Sequence, residues 1–272
     1  MEKICAILTC YNRCEITTRC VKSLADSNRR LHITFVIVDD ASSDRTVESL
    51  ERLKSEDYDI HILHGDGNLF WCGGMRKGIA YAKSMQEYDY YMLINDDVDF
   101  YQEIIEQMVD EVGTTDKILV GATCDSNGQF SYGGVRYKGK SIKYTGLEPA
   151  SQEKCHTFNA NCVLLPKSIF MKADNIDETY IHTLGDFDFG LSLYKKGYEI
   201  KMFSKYVGIC NWNSIAGTWW DKSLSIGERI RKKEQPKGAP FQKWFYFLKK
   251  NFGLRKALVY GFTPYIRIVL GK

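Results

Sequence analysis

Short apolar runs alternate with stretches of helical period through the first 120 residues. The runs ICAILTC (4–10), ITFVIVD (33–39), IHIL (60–63), YYMLIN (90–95) and ILVGA (118–122) have the length and composition of buried strands. Between them the apolar residues fall at helical spacing: Val47, Leu50 and Leu53 in one stretch, Met75, Ile79, Ala82 and Met85 in a second, Ile104, Ile105, Met108, Val109 and Val112 in a third. Such alternation predicts parallel strands with crossover helices, an open α/β sheet covered on both faces. Ligands of these sheets gather at the carboxyl ends of the strands, so the informative residues should follow the apolar runs.

Past residue 123 the chain turns Gly- and Tyr-rich. HTFNANCVLLP (156–166) reads as a further strand ending at Pro166, and DFGLSLYKKGY (188–198) as a helix stopped by Gly197. Residues 222–240 mix charge, Gly and two prolines, which reads as a linker or mobile loop. From Phe241 the apolar positions 241, 244, 245, 248 and 252 return to helical spacing with lysines between them. The expected organisation is a domain over residues 1–221 followed by a basic linker and helical tail over 222–272.

Composition narrows the class. With 272 residues, 44% hydrophobic and 26% charged, the chain matches soluble globular proteins and not disordered, collagen-like or coiled-coil ones. No run nears the roughly 18 to 20 apolar residues of a membrane span, and residues 4–8 are too short for a signal-peptide core. A cytoplasmic chain is expected. Nine cysteines, none in a Cys-x-x-Cys pair, read as reduced and mostly buried thiols rather than a disulfide framework or a zinc site. The net charge of +3 hides an asymmetry: residues 222–272 hold 13 Lys and Arg against two acids, and residues 1–221 carry −8. The tail should face something anionic.

Four motifs carry chemistry. VDDASSDRT (38–46) ends a buried strand with two carboxylates, which are costly there unless they meet donors, cations or a ligand. Asp39 or Asp40 can accept from a nucleobase N–H or ribose hydroxyls, while Asp44 is a natural helix cap. NDDVD (95–99) again follows an apolar strand, and its adjacent carboxylates suggest a divalent cation completed by phosphate oxygens. In GDGNLFWCGGMRKGI (65–79), Gly73 and Gly74 allow close backbone approach, and a helix starting near Met75 offers free N–H groups to an anion or a sugar oxygen. Arg76 and Lys77 read there as solvated helix residues. The stretch is neither a Walker sequence nor a dinucleotide fingerprint. In LGDFDFGLSLYKKGY (184–198), Asp186 and Asp188 precede a helix, where a carboxylate can take a proton from an incoming hydroxyl or simply cap the helix.

The order CAILTCYNR, VDDASSDRT, GNLFWCGGMRKGI, LINDDV, GDFDFGLSLYKKGY resembles the inverting glycosyltransferases of family 2, which have the GT-A fold. The resemblance spans roughly the first 215 residues. It implies a nucleotide-sugar-binding part over 1–122, an acceptor-binding part over 123–221, and transfer of a sugar from a nucleotide diphosphate to an acceptor hydroxyl with inversion. Thr9, Tyr11 and Asn12 match the nucleotide-contacting segment, and Asp39 the acid that reads the base. Asp97 matches the last acid of the motif that binds Mg²⁺ or Mn²⁺, with Asp96 beside it. Asn68, Trp71, Gly73, Gly74 and Arg76 belong to the segment that lines the donor. Asp186 matches the second residue of a Glu-Asp pair, the expected base.

Two departures stand out from that pattern. Gly185 replaces the Glu of the pair, and Cys210, Asn211 and Asn213 stand where many relatives place a metal-binding His. His182, the nearest histidine, reads as a loop residue. The acceptor expected by analogy is a lipid-linked or growing cell-surface glycan of bacterial polysaccharide assembly, as for rhamnosyltransferase-like members.

Tail residues 241–272 interleave aromatic and basic side chains, a pattern suited to an anionic membrane at the inner face of the plasma membrane, or to packing on the domain or forming a homodimer. Nucleic acid is not expected, because residues 1–221 are acidic. The rival functions are a nucleotidyltransferase that makes the activated sugar and an inactive sugar-binding module. The first usually carries a Gly-rich basic loop after its first strand, which TCYNRCEIT (9–17) lacks.

Overall fold

A computed structural model describes every residue except 57, 86, 114, 140, 152 and 272 and the side chain of residue 150. The amino-terminal half alternates strands and helices: β1 (Glu2–Cys10), α1 (Cys14–Asp26), β2 (Leu31–Asp39), α2 (Thr46–Ser55), β3 (Ile60–His64), α3 (Phe70–Met85), β4 (Tyr90–Ile94), β5 (Asp99–Phe100), α4 (Ile104–Val112) and β6 (Lys117–Cys124); the periodicity predicts all of these except α1 and β5. There follow β7 (Gly134–Tyr137), β8 (Tyr144–Leu147), β9 (Thr157–Phe158), β10 (Cys162–Pro166), α5 (Lys167–Phe170), α6 (Gly185–Lys195) and β11 (Glu199–Ile209). Four more helices close the chain: α7 (Ile226–Lys233), α8 (Phe241–Phe252), α9 (Leu254–Tyr260) and α10 (Thr263–Val269).

The main sheet has the order β3, β2, β1, β4, β10, β6, β11, β5, and the smaller one the order β8, β7, β9. β3, β2, β1 and β4 run parallel, as do β6 and β11, whereas β10 is antiparallel to both of its neighbours. Strand alternation divides the core in two. Ile4, Ala6 and Leu8 face α1, α2 and α4, while Cys5 and Ile7 face α3. Burial on both faces is why these strands are apolar throughout.

Three expectations give way. The run 156–166 is two strands in different sheets, with a turn between them that Asn159 and Asn161 occupy, and β10 inserts between β4 and β6. An apolar run marks burial but does not say which neighbour a strand will take. α6 starts at Gly185, so Asp186 and Asp188 lie in its first turn. Residues 222–240, read as a mobile loop, contain α7, opened by a capping box in which Ser225 Oγ accepts from the Glu228 N–H at 3.3 Å and Glu228 from the Ser225 N–H at 3.0 Å. Arg229 and Lys233 of this helix are almost wholly buried.

α3 begins at Phe70, five residues before the expected start, and Gly73 and Gly74 lie inside it. A Cβ at Gly74 would fall 2.2 Å from Thr9 Oγ1, so this glycine lets α3 pack directly on β1. Gly74→Ala should therefore cost about 1–3 kcal/mol from overpacking, seen as a lower denaturant midpoint at unchanged m-value. A wild-type midpoint would mean that α3 can slide on the sheet at no cost.

Candidate active site

The carboxyl ends of β1 and β4 bring Arg13 beside Asp96 and Asp97. Its guanidinium forks across both acids, Nη1 to Asp96 at 2.8 Å and Nη2 to Asp97 at 3.0 Å. The other oxygens are also engaged: Thr17 donates to Asp96 at 3.2 Å, and the Cys210 thiol to Asp97 at 3.5 Å. Burial, with repulsion from Asp97, pushes the Asp96 carboxyl up to about 6 against the pull of Arg13. Burial first, and Asp97 second, hold the Cys210 thiol far above its ordinary range, so it is a neutral donor.

Asp96, Asp97 and Arg13 line a cavity of about 1210 Å³. Trp71 reaches it from α3 and donates its indole N–H to Asn95 at 2.9 Å. Asp186 reaches it from the first turn of α6, where burial pushes its carboxyl up to about 6 against the N–H groups of Phe187 and Ala160. A Cβ at Gly185 would fall 2.5 Å from Cys72 Sγ, so a Glu has no room here without a shift of α3 or α6. Asp188 lies on another face of the helix. Buried, it accepts from Lys250 and Asn251 of α8 at 2.7 Å each, so it ties two helices together and is neither a cap nor a cavity residue.

The remaining candidates lie outside the described lining of this cavity. Asp40 is spent on the backbone, taking the N–H groups of Gly67 at 2.9 Å, Leu69 at 3.2 Å and Phe70 at 2.8 Å. At the start of α3 the N–H of Phe70 is thus consumed, with that of Cys72 bound to the Ile181 carbonyl and that of Gly73 to the Leu69 carbonyl. Gly73 packs against Leu69, and Asn68 sits exposed in a turn made with Asp66. Arg76, expected in solvent or near the donor, holds the Asp177 and Tyr180 carbonyls at 3.0 and 2.9 Å.

Asn12 accepts from the backbone of Ser43 and Asp44 and joins two loops, while Thr9 donates to the Val38 carbonyl. Asp39 is buried and accepts the Ser42 N–H at 3.0 Å, beside an exposed Tyr11. Asn12, Phe70 and Leu184 have left-handed φ values of 51°, 51° and 71°. Each lies one or two residues before Arg13, Trp71 or Asp186, so strained backbone aims these side chains.

The sequence reading passed over Arg13, although it stands in the quoted run CYNR. Of the readings open for the tail, packing on the domain is the one seen: Lys233, Lys237, Trp244 and Arg267 line the same cavity as Trp219. Lys233 donates to the Ala239 carbonyl and lies 5.9 Å from the Trp219 ring centroid and 5.6 Å from that of Tyr265. His182 lines the cavity too, and burial pushes it down to about 4, which keeps it neutral. Among the described residues no group of three His, Cys, Asp or Glu side chains is placed to hold a metal ion.

A mostly parallel sheet with acids at its carboxyl edge is an α/β fold with a ligand site at that edge, and family comparison makes the class specific. The model for glycosyl transferase family 2 matches residues 5–173, so the chain belongs to that family and sugar transfer is its class of activity. The fold is similar to that of a mannosyltransferase from Pyrobaculum calidifontis, solved with GDP-Man and Mn²⁺ (TM-score 0.64, 9% identity, 99% of this chain and 74% of that one). It is also similar to residues 1–349 of S. aureus TarS with UDP-GlcNAc (TM-score 0.59, 13% identity, 98% and 81%) and to GalNAc-T7 with UDP, GalNAc and Mn²⁺ (TM-score 0.58, 10% identity, 97% and 56%). No curated protein matches the chain by sequence.

The two acids of α6 should respond oppositely to replacement. Asp188→Ala removes a buried carboxylate and its charged hydrogen bonds to Lys250 and Asn251 of α8 and should cost about 1–3 kcal/mol. Asp186 has a folded-state pKa above the unfolded value near 3.8, so the stability it contributes is present at lower pH and is lost as pH rises through about 6. Asp186→Asn should therefore raise the thermal midpoint above pH 6. A drop at both positions would assign Asp186 a structural role.

Proposed function

We propose that this glycosyltransferase moves a sugar from a nucleoside diphosphate to an acceptor hydroxyl in one inverting displacement, with Asp186 as the base. The observation that carries the reading is one cavity lined both by Asp186, a carboxyl with no cation on its oxygens among the described residues, and by an acid pair bridged by an arginine. Its volume exceeds the roughly 300–1,000 Å³ typical of a site for one small molecule, which leaves space for donor and acceptor together. The acceptor O–H passes its proton to Asp186 while its oxygen bonds to the anomeric carbon, and the bond to the diphosphate oxygen breaks on the opposite side. Arg13 stands where the charge of the departing diphosphate grows.

The residues present fit a divalent cation that arrives with the diphosphate. Asp97 offers hard oxygens at the cavity, and Mg²⁺ or Mn²⁺ typically uses one or two carboxylates and takes other oxygens from phosphate and water. Such an ion, when bound, adds charge stabilisation to the leaving group. Cys210, protonated and turned to Asp97, replaces the expected His without serving as a ligand. Mn²⁺ in the solved mannosyltransferase and GalNAc-T7 supports this assignment.

The nucleoside is assigned to the edge beside the cavity. There Tyr11 gives a ring, Asn12 and Asp40 hold the loops, and Asp39 keeps acceptor capacity for the base. Trp71 lies on the sugar side. A hexosyl or deoxyhexosyl donor and a lipid-linked or cell-surface glycan acceptor, reached from the cytoplasmic side, are the partners that the sequence resemblance to bacterial polysaccharide-assembly members supports. The carboxy-terminal part of the cavity, with Trp219, Lys237 and Arg267, is the acceptor end.

Transfer assayed by mass spectrometry against a panel of nucleotide sugars should fall roughly 10²- to 10⁴-fold in Asp186→Asn, with nucleotide binding retained. The wild-type kcat/KM should decline as pH drops through about 6, where the base becomes protonated. Near-normal transfer by the variant, or a limb near the ordinary carboxylate range, would remove Asp186 from the role. Arg13→Gln deletes a charged hydrogen bond worth about 1.5 kcal/mol that competes for Asp97. It should bind Mn²⁺ alone roughly tenfold more tightly by calorimetry, and unchanged affinity would refute that competition.

A further inference from the structure

The tail aromatics that the sequence offers to a membrane are mostly occupied. Phe247 is buried in the core, Trp244 and Phe252 line the cavity, and the Trp244 indole N–H donates to the Tyr260 carbonyl at 3.1 Å. A different face is free. Leu254 and Leu258 of α9, Phe262 in the turn after it, Ile266 of α10 and Leu270 just beyond it form an apolar row joined by Val259 and Val269, and each of these residues is more than half exposed. The opposite side is anchored, with Ala257 and Ile268 fully buried and the Ile268 carbonyl accepting from Arg229 at 3.3 Å. The apolar row is therefore mounted on the domain and is not a frayed end.

Charge identifies its occupant. Residues 241–272 contain seven Lys and Arg and no Asp or Glu, and Arg255, Lys256 and Arg267 flank the row. A twofold dimer through this face would set an acid-free, cationic surface against itself. An anionic lipid surface offers both an apolar phase for the row and counter-charge for its margin. α10 also supplies Thr263, Pro264 and Arg267 to the cavity, so whatever the row rests on lies beside the acceptor end.

We propose that the Leu254 to Leu270 face docks the protein on an anionic bilayer and thereby sets the acceptor end of the cavity at the lipid surface, where Arg267 meets the phosphate of a lipid-linked acceptor. The docking stands on the exposed row and its charge. The delivery of a lipid phosphate to the cavity rests on the sugar-transfer reading above.

Sedimentation of the full chain with phosphatidylcholine vesicles, with or without phosphatidylglycerol, tests the docking, and thermal shift with UDP or GDP and Mn²⁺ on the same samples tests the donor site separately. The wild type should sediment with the anionic vesicles at low salt and much less with neutral ones. Leu258→Asp and Ile266→Asp, both at exposed positions, should lower the bound fraction at least tenfold while keeping cooperative unfolding and the nucleotide-induced shift. Binding indifferent to lipid charge, binding unaltered by the two substitutions, or a wild-type dimer that they dissociate would overturn the docking. Loss of the nucleotide shift alone would sink the donor reading and leave the docking intact. For the delivery step, Arg267→Gln should weaken protection of the chain by a soluble short-chain lipid phosphate more than by the corresponding alcohol; equal protection would overturn it.

Discussion

Two adjacent carboxylates at the end of a buried strand cannot both stay ionised without a cation close by, and the architecture around the cavity follows from how that condition is met. Arg13 satisfies both acids with one planar fork, which requires the loop after β1 to pass beside the end of β4. That passage is held by the left-handed turn at Asn12 and its bonds to the 42–44 loop. The unfavourable backbone and the buried charges are thus features of one arrangement, and each persists because the other restrains it.

The same logic separates the acids that work from those that hold. Asp40 and Asp188 are buried too, but backbone N–H groups or α8 consume their lone pairs. Asp186 keeps a face on the cavity, and burial raises its proton affinity with no cation on its oxygens among the described residues to offset it. Two carboxylates of one helical turn thereby take different roles, one facing the cavity and one tying α6 to α8, and the difference comes from which partner lies within about 3 Å of each.

The C-terminal helices extend the cavity instead of trailing from it. Their inner side contributes aromatic rings and cations, and their outer side leaves an apolar row in solvent. Lys233, buried against Trp219 and Tyr265 with its ammonium on a backbone carbonyl, illustrates the packing: burial pushes it down to about 8, and ring faces compensate part of the lost hydration.

Local rules operate within a few residues, and the elements they govern were legible in the chain. Apolar periodicity marked the strands and helices of the first half, and the acids after β2 and β4 lay where sheets of this class gather ligands. The Ser225 and Glu228 capping box was also present in the letters, although the surrounding charge suggested a loop. What no local rule reaches is the partner of each side chain. Gly74 and Arg76 had the composition of an anion-binding turn, yet packing on Thr9 and two distant carbonyls claimed them. Insertion of β10 between β4 and β6, the bond from Asp188 to Lys250, and the fork of Arg13 across Asp96 and Asp97 join residues 62 to 84 positions apart or strands from different parts of the chain. The sequence by itself determined most strands and helices of the first half and where acids end a strand, because those depend on the neighbouring few residues. Only the tertiary structure decided which acids face the cavity, because a carboxylate's role depends on the donors that folding places around it.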